Sequence, residues 1–120
     1  MKLGEIVDLL EADLIVGEDK LDMEIDRAFA ADLMSDVFAF AKKGSLLLTG
    51  LTDQIVVRTA DDMGLSAVVF VRGKRPVDAA VELATEKGIP LISTRYIMFE
   101  TSGRLFARGV KGAITKVEQG

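Results

Sequence analysis

The hydrophobic residues of this chain alternate between a helical spacing and short continuous runs. Apolar positions three, four and seven apart, with glycine or proline at the boundaries, predict helices over residues 3–11, 33–41, 53–63, 76–87 and 95–107. Thr52 is predicted to cap the third of these helices and Pro76 to open the fourth. The runs between them predict strands over residues 13–17, 24–30, 45–49, 66–71 and 89–93.

This order of elements predicts the fold class. Strands that alternate with helices form right-handed crossover units, so we expect an α/β fold of three layers, α/β/α, with a mostly parallel central sheet. Residues 1–108 are expected to form one domain. The tail over residues 109–120 carries little apolar content, and the sequence leaves open whether it is frayed or adds an edge strand.

The amino-acid composition limits the kinds of catalytic and metal site that the chain can form. The chain has 120 residues, with 49% hydrophobic and 28% charged residues, which is typical of a folded domain, and it contains neither histidine nor cysteine. The usual catalytic triads and cysteine zinc sites therefore cannot be built. The acidic pair Asp61-Asp62 is interpreted as surface charge, and the alternating Asp22, Glu24 and Asp26 as a solvated strand edge. We expect no catalytic residue, no metal site and no cofactor.

Charge and hydropathy suggest the cellular setting. The net charge is −4, with no basic block or aromatic interleaving of the kind that binds nucleic acid. No apolar run is long enough for a membrane span, and no signal segment is recognisable, so a cytoplasmic location is expected. The one basic cluster, Arg72-Gly73-Lys74-Arg75, is either a solvated turn or a small anion site.

Three predicted strands end in loops that could together bind a small ligand. The carboxyl ends of parallel strands meet at one edge of a sheet, where helix N-termini favour anions and arginine can grip a phosphate or carboxylate. Glycine, serine and threonine are also simply common in such loops. The residues predicted to bind an anionic metabolite or nucleotide are Thr49, Gly50, Thr52, Arg72, Gly73, Thr94 and Arg95.

Apolar residues also suggest self-association. Six phenylalanines are many for a core of this size. Met34, Phe38 and Met98 are predicted to share a self-complementary face, which would make the protein a homodimer.

Several segments resemble DRTGG domains, which are similar to the N-terminal domain of HPr kinase. The likeness runs from about residue 3 to 108 and rests on the segments 17–25 (GEDKLDMEI) and 88–94 (GIPLIST), on Phe99-Glu100-Thr101 and on Arg104-Leu105. The resemblance implies a three-layer α/β/α fold, dimerisation and a regulatory or ligand-sensing role without kinase activity.

The residues for which that family is named are mostly missing here. Leu51-Thr52 stands where the family tends to place Asp-Arg, and Val71-Arg72-Gly73 stands where it tends to place Thr-Gly-Gly. A family ligand site would thus be altered here, with Arg72 replacing the charge lost at Thr52, or abandoned.

Two hypotheses follow. In the first, the chain is a non-catalytic sensor that binds an anionic metabolite or nucleotide at the loops after the strands. In the second, it is a ligand-free interaction subunit that acts as a homodimer or adaptor, and the loops are merely structural.

Overall fold

The computed structural model describes residues 1–118, and its elements follow the alternation of the sequence. Within those residues, the helices are α1 Leu3–Leu9, α2 Met34–Phe40, α3 Gln54–Met63, α4 Asp78–Lys87 and α5 Met98–Ala107, with one 3-10 turn at Glu18–Lys20. The strands are β1 Asp13–Val16, β2 Arg27–Ala30, β3 Leu46–Thr49, β4 Ala67–Phe70, β5 Leu91–Ser93 and β6 Lys111–Gly112.

The strands form one sheet in the order β1-β5-β4-β3-β2-β6. All neighbouring pairs are parallel except β1 and β5, which are antiparallel. The two central strands, β3 and β4, are buried along their whole length, because helices cover both of their faces. The predicted three-layer α/β/α fold with a mostly parallel sheet is confirmed.

Alternate residues of each strand point to opposite layers. Leu47 packs with helices α2, α3 and α4 on one face, whereas Leu46 and Leu48 pack with α1 and α5 on the other. The crossovers from β2 through to β5 therefore place their helices on one face, and α5 leads back across the other face to β6. No helix among the described residues is both long and apolar enough to reach across a bilayer.

Several boundaries differ from the predicted ones. Asp53, rather than Thr52, is the N-cap of α3, and α4 begins at Asp78 after the N-cap Val77, so Pro76 lies in the preceding loop. The second strand is shorter than predicted, because Glu24 instead forms an isolated bridge with Lys2. In the tail, β6 pairs with β2 as an edge strand, whereas residues 119–120 lie outside the described part.

Gly17 in the first resembling segment has a clear structural role. Its φ is +112°, and a Cβ built there would lie 2.7 Å from the Cβ of Pro90. Both the backbone conformation and the close approach of the two loops therefore require glycine. The glycine that opens the segment 17–25 is explained by packing rather than by ligand chemistry.

The face predicted for self-association is not formed as expected. Met34 packs against the core beneath α2, α3 and α4, whereas Met98 packs against the core beneath α1 and α5. The two methionines lie on opposite faces of the sheet, and the grouping of Met34, Phe38 and Met98 was wrong. The large apolar side chains most exposed on the described surface are Phe99 and Phe106 of α5.

Candidate functional site

The loops that follow β3, β4 and β5 meet at one end of the sheet. This is the end at which the parallel strands finish, and we call it the carboxyl edge, or simply the edge. The amide of Val71 donates to the carbonyl of Thr49 at 2.9 Å, which joins the first two loops. The amides of Arg72 and Gly73 donate to the carbonyls of Tyr96 and Thr94, each at 2.8 Å, which joins the second loop to the third. The parallel strands thus bring together the three segments that carry the predicted residues.

The topological switch point of the sheet lies at the carboxyl ends of β4 and β5, which are neighbouring strands. The helix that follows β4 covers one face, and the helix that follows β5 covers the other. In open α/β sheets, ligands bind outside the carboxyl ends of strands at such a point. Here the hydrogen bonds between the two loops close the gap at backbone level, so a ligand has to lie above the loops rather than between them.

Asp32 organises the first loop, and the sequence analysis missed it. Its Oδ1 accepts hydrogen bonds from the amide of Gly50 at 2.7 Å and from Oγ1 of Thr49 at 3.0 Å. The position could have been found, because Asp32 follows the second predicted strand closely and therefore lies at the same edge of the parallel sheet.

Arg72 is an exposed cation at this edge, in the loop between the other two. Its φ is +61°, a left-handed conformation that is uncommon for a residue with a side chain. A Cβ built on Gly50 would lie 3.3 Å from its Nη2 and 3.6 Å from Oδ1 of Asp32, so the glycine leaves room for the guanidinium beside the carboxylate. Within residues 1–118, the Arg72 guanidinium makes no hydrogen bond and no ion pair.

Two of the predicted hydroxyl groups are used in holding the loops together. Thr49 Oγ1 donates to Asp32 and accepts from the amide of Leu51 at 3.2 Å. Thr94 Oγ1 donates to the carbonyl of Leu10 at 2.7 Å and accepts from the amide of Tyr96 at 3.2 Å. Both threonines are buried, so their hydroxyls support the edge from beneath.

The remaining predicted residues lie around the edge. Thr52 is half-buried, and its carbonyl accepts from the amide of Val77 at 3.0 Å. Gly73 is exposed, and a Cβ built there would meet nothing within 4 Å, so its φ of +69° rather than crowding favours glycine. Arg95 lines a separate cavity of ≈ 410 Å³ with Leu10, Glu11 and Tyr96.

Tyr96 forms a cluster that the sequence did not reveal. Its hydroxyl donates to Glu11, and the guanidinium carbon of Arg104 lies 4.0 Å from the centre of its ring. The hydrogen bond to Glu11, followed by burial, raises the pKa of Tyr96, while the positive charge of Arg104 lowers it. No spacing could have indicated this cluster, because Glu11 and Tyr96 are 85 residues apart.

The edge carries several exposed cations beside the carboxylate of Asp32. In the described part of the protein, Arg72, Lys74 and Arg95 are exposed and have no acidic partner within 4.0 Å, whereas Arg75 pairs with Asp13 at 2.8 Å. No group of three acidic side chains among residues 1–118 is arranged to hold a metal ion. The exposed arginine and lysine side chains at this edge can therefore attract an anion.

Comparison with known proteins supports the resemblance. The family model described as "DRTGG domain" matches residues 5–107. A solved structure of the CBS and DRTGG domains of the regulatory region of Clostridium perfringens pyrophosphatase, complexed with the activator diadenosine tetraphosphate, is similar with a TM-score of 0.74 and 20% identity. The match covers 87% of this chain but only 45% of that one. No curated protein matches the chain. From the family match, we conclude that the chain belongs to the DRTGG domain family.

Proposed function

We propose that this protein is a regulatory domain without catalytic activity, which binds a phosphate-bearing metabolite or nucleotide at the carboxyl edge of its sheet. The similar DRTGG domain belongs to the regulatory region of a pyrophosphatase that was solved with a nucleotide activator. Family membership makes a regulatory role the first hypothesis for this chain, and the exposed cations Arg72, Lys74 and Arg95 support an anionic ligand.

The observation that carries the proposal is the state of Arg72. Its guanidinium is exposed and unpaired within residues 1–118, and its backbone is held in an uncommon conformation by two neighbouring loops. Strained residues persist where the surrounding structure fixes them, and they are concentrated at functional sites. The planar guanidinium can form two parallel hydrogen bonds to a phosphate, and its rigid fork loses less side-chain entropy per hydrogen bond than a lysine does.

The geometry divides the predicted residues into two roles. In the proposed site, Arg72 and Lys74 supply charge, and the exposed backbone at Gly73 allows a phosphate to approach closely. Gly50 is half-buried and leaves room for the Arg72 guanidinium, and its amide is already bonded to Asp32. Thr52 and Arg95 lie at the two sides of this edge. Thr49, Thr94 and Asp32 act as scaffold, because their hydrogen bonds are already used within the protein.

The absence of catalysis is also part of the proposal. The sequence lacks the imidazole and thiol groups that most acid–base and nucleophilic mechanisms use. The carboxylate beside Arg72 in the proposed site, that of Asp32, accepts two hydrogen bonds at Oδ1 that hold the first loop. A binding function therefore fits this edge better than a reaction. The cytoplasmic location expected from the sequence stays a prediction.

The test is a thermal-shift series with phosphate, AMP, ATP and diadenosine tetraphosphate. A ligand at 100 times its dissociation constant adds about 2.7 kcal/mol of stability, which corresponds to a rise of roughly 10 °C in Tm for a domain of this size. We expect Arg72→Ala to abolish the rise given by the best ligand. The matched control is Arg108→Ala, which removes an exposed arginine at the C-terminal end of α5. This variant should keep the ligand-induced rise in Tm.

Two outcomes would contradict the proposal. One is the absence of a Tm response to any member of the series, and the other is an equal response in the wild type and in Arg72→Ala. The second hypothesis, a subunit that acts through protein contacts alone, predicts the first of these outcomes. It is favoured by one observation, the exposed phenylalanines of α5.

A further inference from the structure

A cavity lies beside the proposed anion site. It has a volume of ≈ 410 Å³ and is lined by Leu10, Glu11, Arg95 and Tyr96. Sites for small molecules combine a volume of about 300 Å³ or more with a few polar groups that fix the orientation of the ligand. Here an apolar side chain, an aromatic ring, a carboxylate and a guanidinium suit a flat, polar, aromatic molecule. We call this space the Tyr96 cavity.

The Tyr96 cavity adjoins the loop that carries Arg72. The amide of Arg72 donates to the carbonyl of Tyr96, and the amide of Gly73 donates to the carbonyl of Thr94, each at 2.8 Å. Residues 94–96 are thus fixed directly against the loop that supplies the proposed phosphate-binding cations. A molecule with a flat ring at one end and a phosphate at the other, such as a nucleotide, can therefore occupy both sites.

Two uncommon backbone conformations lie on either side of Tyr96. Within residues 1–118, the residues other than glycine with a positive φ are Glu11, at +48°, and Arg72, at +61°. The hydroxyl of Tyr96 donates to the carboxylate of Glu11, and its carbonyl accepts from the amide of Arg72. Such conformations persist where the surrounding structure fixes them, and they are concentrated at functional sites. One of them borders the cavity, and the other borders the anion site.

The ring of Tyr96 is held in a fixed position. The guanidinium carbon of Arg104 lies 4.0 Å from the ring centre, and Arg104 is itself bonded to Glu100 at 2.9 Å. Proteins bind nucleobases by stacking them on aromatic rings and on the guanidinium planes of arginine. Tyr96 is half-buried and Arg95 is exposed, and both line the cavity, so a base that enters it meets both kinds of surface.

The two charged groups of the cavity have opposite hydrogen-bonding capacities. A carboxylate only accepts, and a guanidinium only donates. Within residues 1–118, Glu11 uses Oε2 for the bond from Tyr96 and makes no hydrogen bond with Oε1, and the Arg95 guanidinium makes no hydrogen bond or ion pair. Guanine presents the donors N1–H and N2–H on one edge and the acceptors O6 and N7 on another. It therefore matches both groups, whereas adenine has an acceptor at N1.

From these observations we infer that the Tyr96 cavity is a guanine subsite, and that the ligand of the proposed anion site is a guanine nucleotide. In this arrangement Glu11 accepts from N1–H and N2–H, Arg95 donates to O6 or N7, and the base stacks beside Tyr96. The inference rests on the proposed function, because the phosphates of the nucleotide bind at Arg72 and Lys74. Glu11 and Arg95 are exposed, so water competes for each contact, and each is expected to contribute about tenfold in affinity.

The experiment is isothermal titration calorimetry of the full chain with GDP, IDP, ADP and inorganic phosphate. IDP lacks only the 2-amino group of guanine, so it removes one donor to Glu11 and keeps the phosphates. We expect GDP to bind about tenfold more tightly than IDP and at least as much more tightly than ADP. Inorganic phosphate should bind most weakly, because it occupies the anion site alone.

A variant and a matched control assign the contact to Glu11. Glu11→Gln places an amide donor opposite the donors of guanine, so it should weaken the binding of GDP about tenfold and leave that of inorganic phosphate unchanged. Glu86→Gln changes an exposed acid on α4 and should bind GDP as the wild type does. The comparison of GDP with IDP uses the wild type alone, so it does not depend on how a variant folds.

The outcomes separate this inference from the proposed function. Equal affinities for GDP, IDP and ADP, or undiminished binding of GDP by Glu11→Gln, would overturn the guanine subsite. In either case, a loss of nucleotide binding in Arg72→Ala would still support the anion site. If none of the four compounds binds to the wild type, both the subsite and the anion site are wrong.

Discussion

At the level of single residues, Tyr96 offers a direct test of the structure. It is the only tyrosine, and the chain has no tryptophan, so absorbance near 295 nm reports its ionisation alone. The hydrogen bond to Glu11 raises its pKa above the ordinary value of 10.0, because it stabilises the protonated phenol beside a carboxylate. We expect Glu11→Gln to move the titration midpoint down towards that value.

The same shift has a defined effect on stability. The folded protein holds the phenolic proton more tightly than the unfolded chain does, so the contribution of Tyr96 to stability is complete below pH 10 and is lost as the pH rises through the pKa of the folded state.

The control for the titration is Glu86→Gln, which changes an exposed acid on α4 and should leave the titration midpoint of Tyr96 unchanged. Equal midpoints for the wild type and Glu11→Gln would show that the contact does not exist in solution.

The sequence predicted some of the residues at the edge and missed others for a physical reason. The loops that carry Arg72 and Gly50 could be found, because each follows a recognisable apolar strand. Whether a hydroxyl faces the ligand or the protein interior depends on contacts between distant segments, such as Thr94 with Leu10, 84 residues away. For the same reason, Asp32 and the Tyr96 cluster became visible only in the folded chain.

At the level of elements, the hydroxyl of Thr94 links the end of α1 to the loop after β5. Thr94→Val keeps the volume but leaves the buried carbonyl of Leu10 without this donor and the amide of Tyr96 without its acceptor. A loss of about 1–3 kcal/mol in the free energy of unfolding is expected. Urea denaturation measures it, and the slope of the transition should not change.

Another threonine provides the comparison. The hydroxyl of Thr85, on the exposed side of α4, donates only to the carbonyl of Val81 in its own helix. Thr85→Val should therefore change the free energy of unfolding by less than about 0.5 kcal/mol. If both variants lose the same stability, the cost comes from the valine itself and not from the broken link between α1 and the sheet.

The order and type of the elements could be predicted from periodicity, but their ends could not. The buried runs of β3 and β4 and the stripes of the helices depend on local spacing, which the sequence displays. The beginning of α4 is different, because Val77 has an extended backbone as the N-cap and its amide is bonded to the carbonyl of Thr52 in another loop. Pro76 therefore stays outside the helix, and no local spacing displays this contact.

At the level of the whole molecule, three loops from different parts of the chain build the proposed anion site, and backbone hydrogen bonds join them. Changes at distant positions without shared partners act independently of such a site. We therefore expect Phe106→Ala, which removes an exposed ring at the C-terminal end of α5, to keep the ligand-induced rise in Tm. Thermal shift measures this, and a loss of the ligand response in this variant would mean that the C-terminal end of α5 takes part in the site.

The hydrogen bond from the amide of Arg72 to the carbonyl of Tyr96 has a practical consequence. Any movement of the Arg72 loop either breaks this bond or carries the tyrosine with it, and the ring lies against Arg104. The protein therefore contains its own optical probe at the edge of the sheet. Near-ultraviolet circular dichroism of the unlabelled protein, which comes from one tyrosine and six phenylalanines, can follow events at this edge in real time.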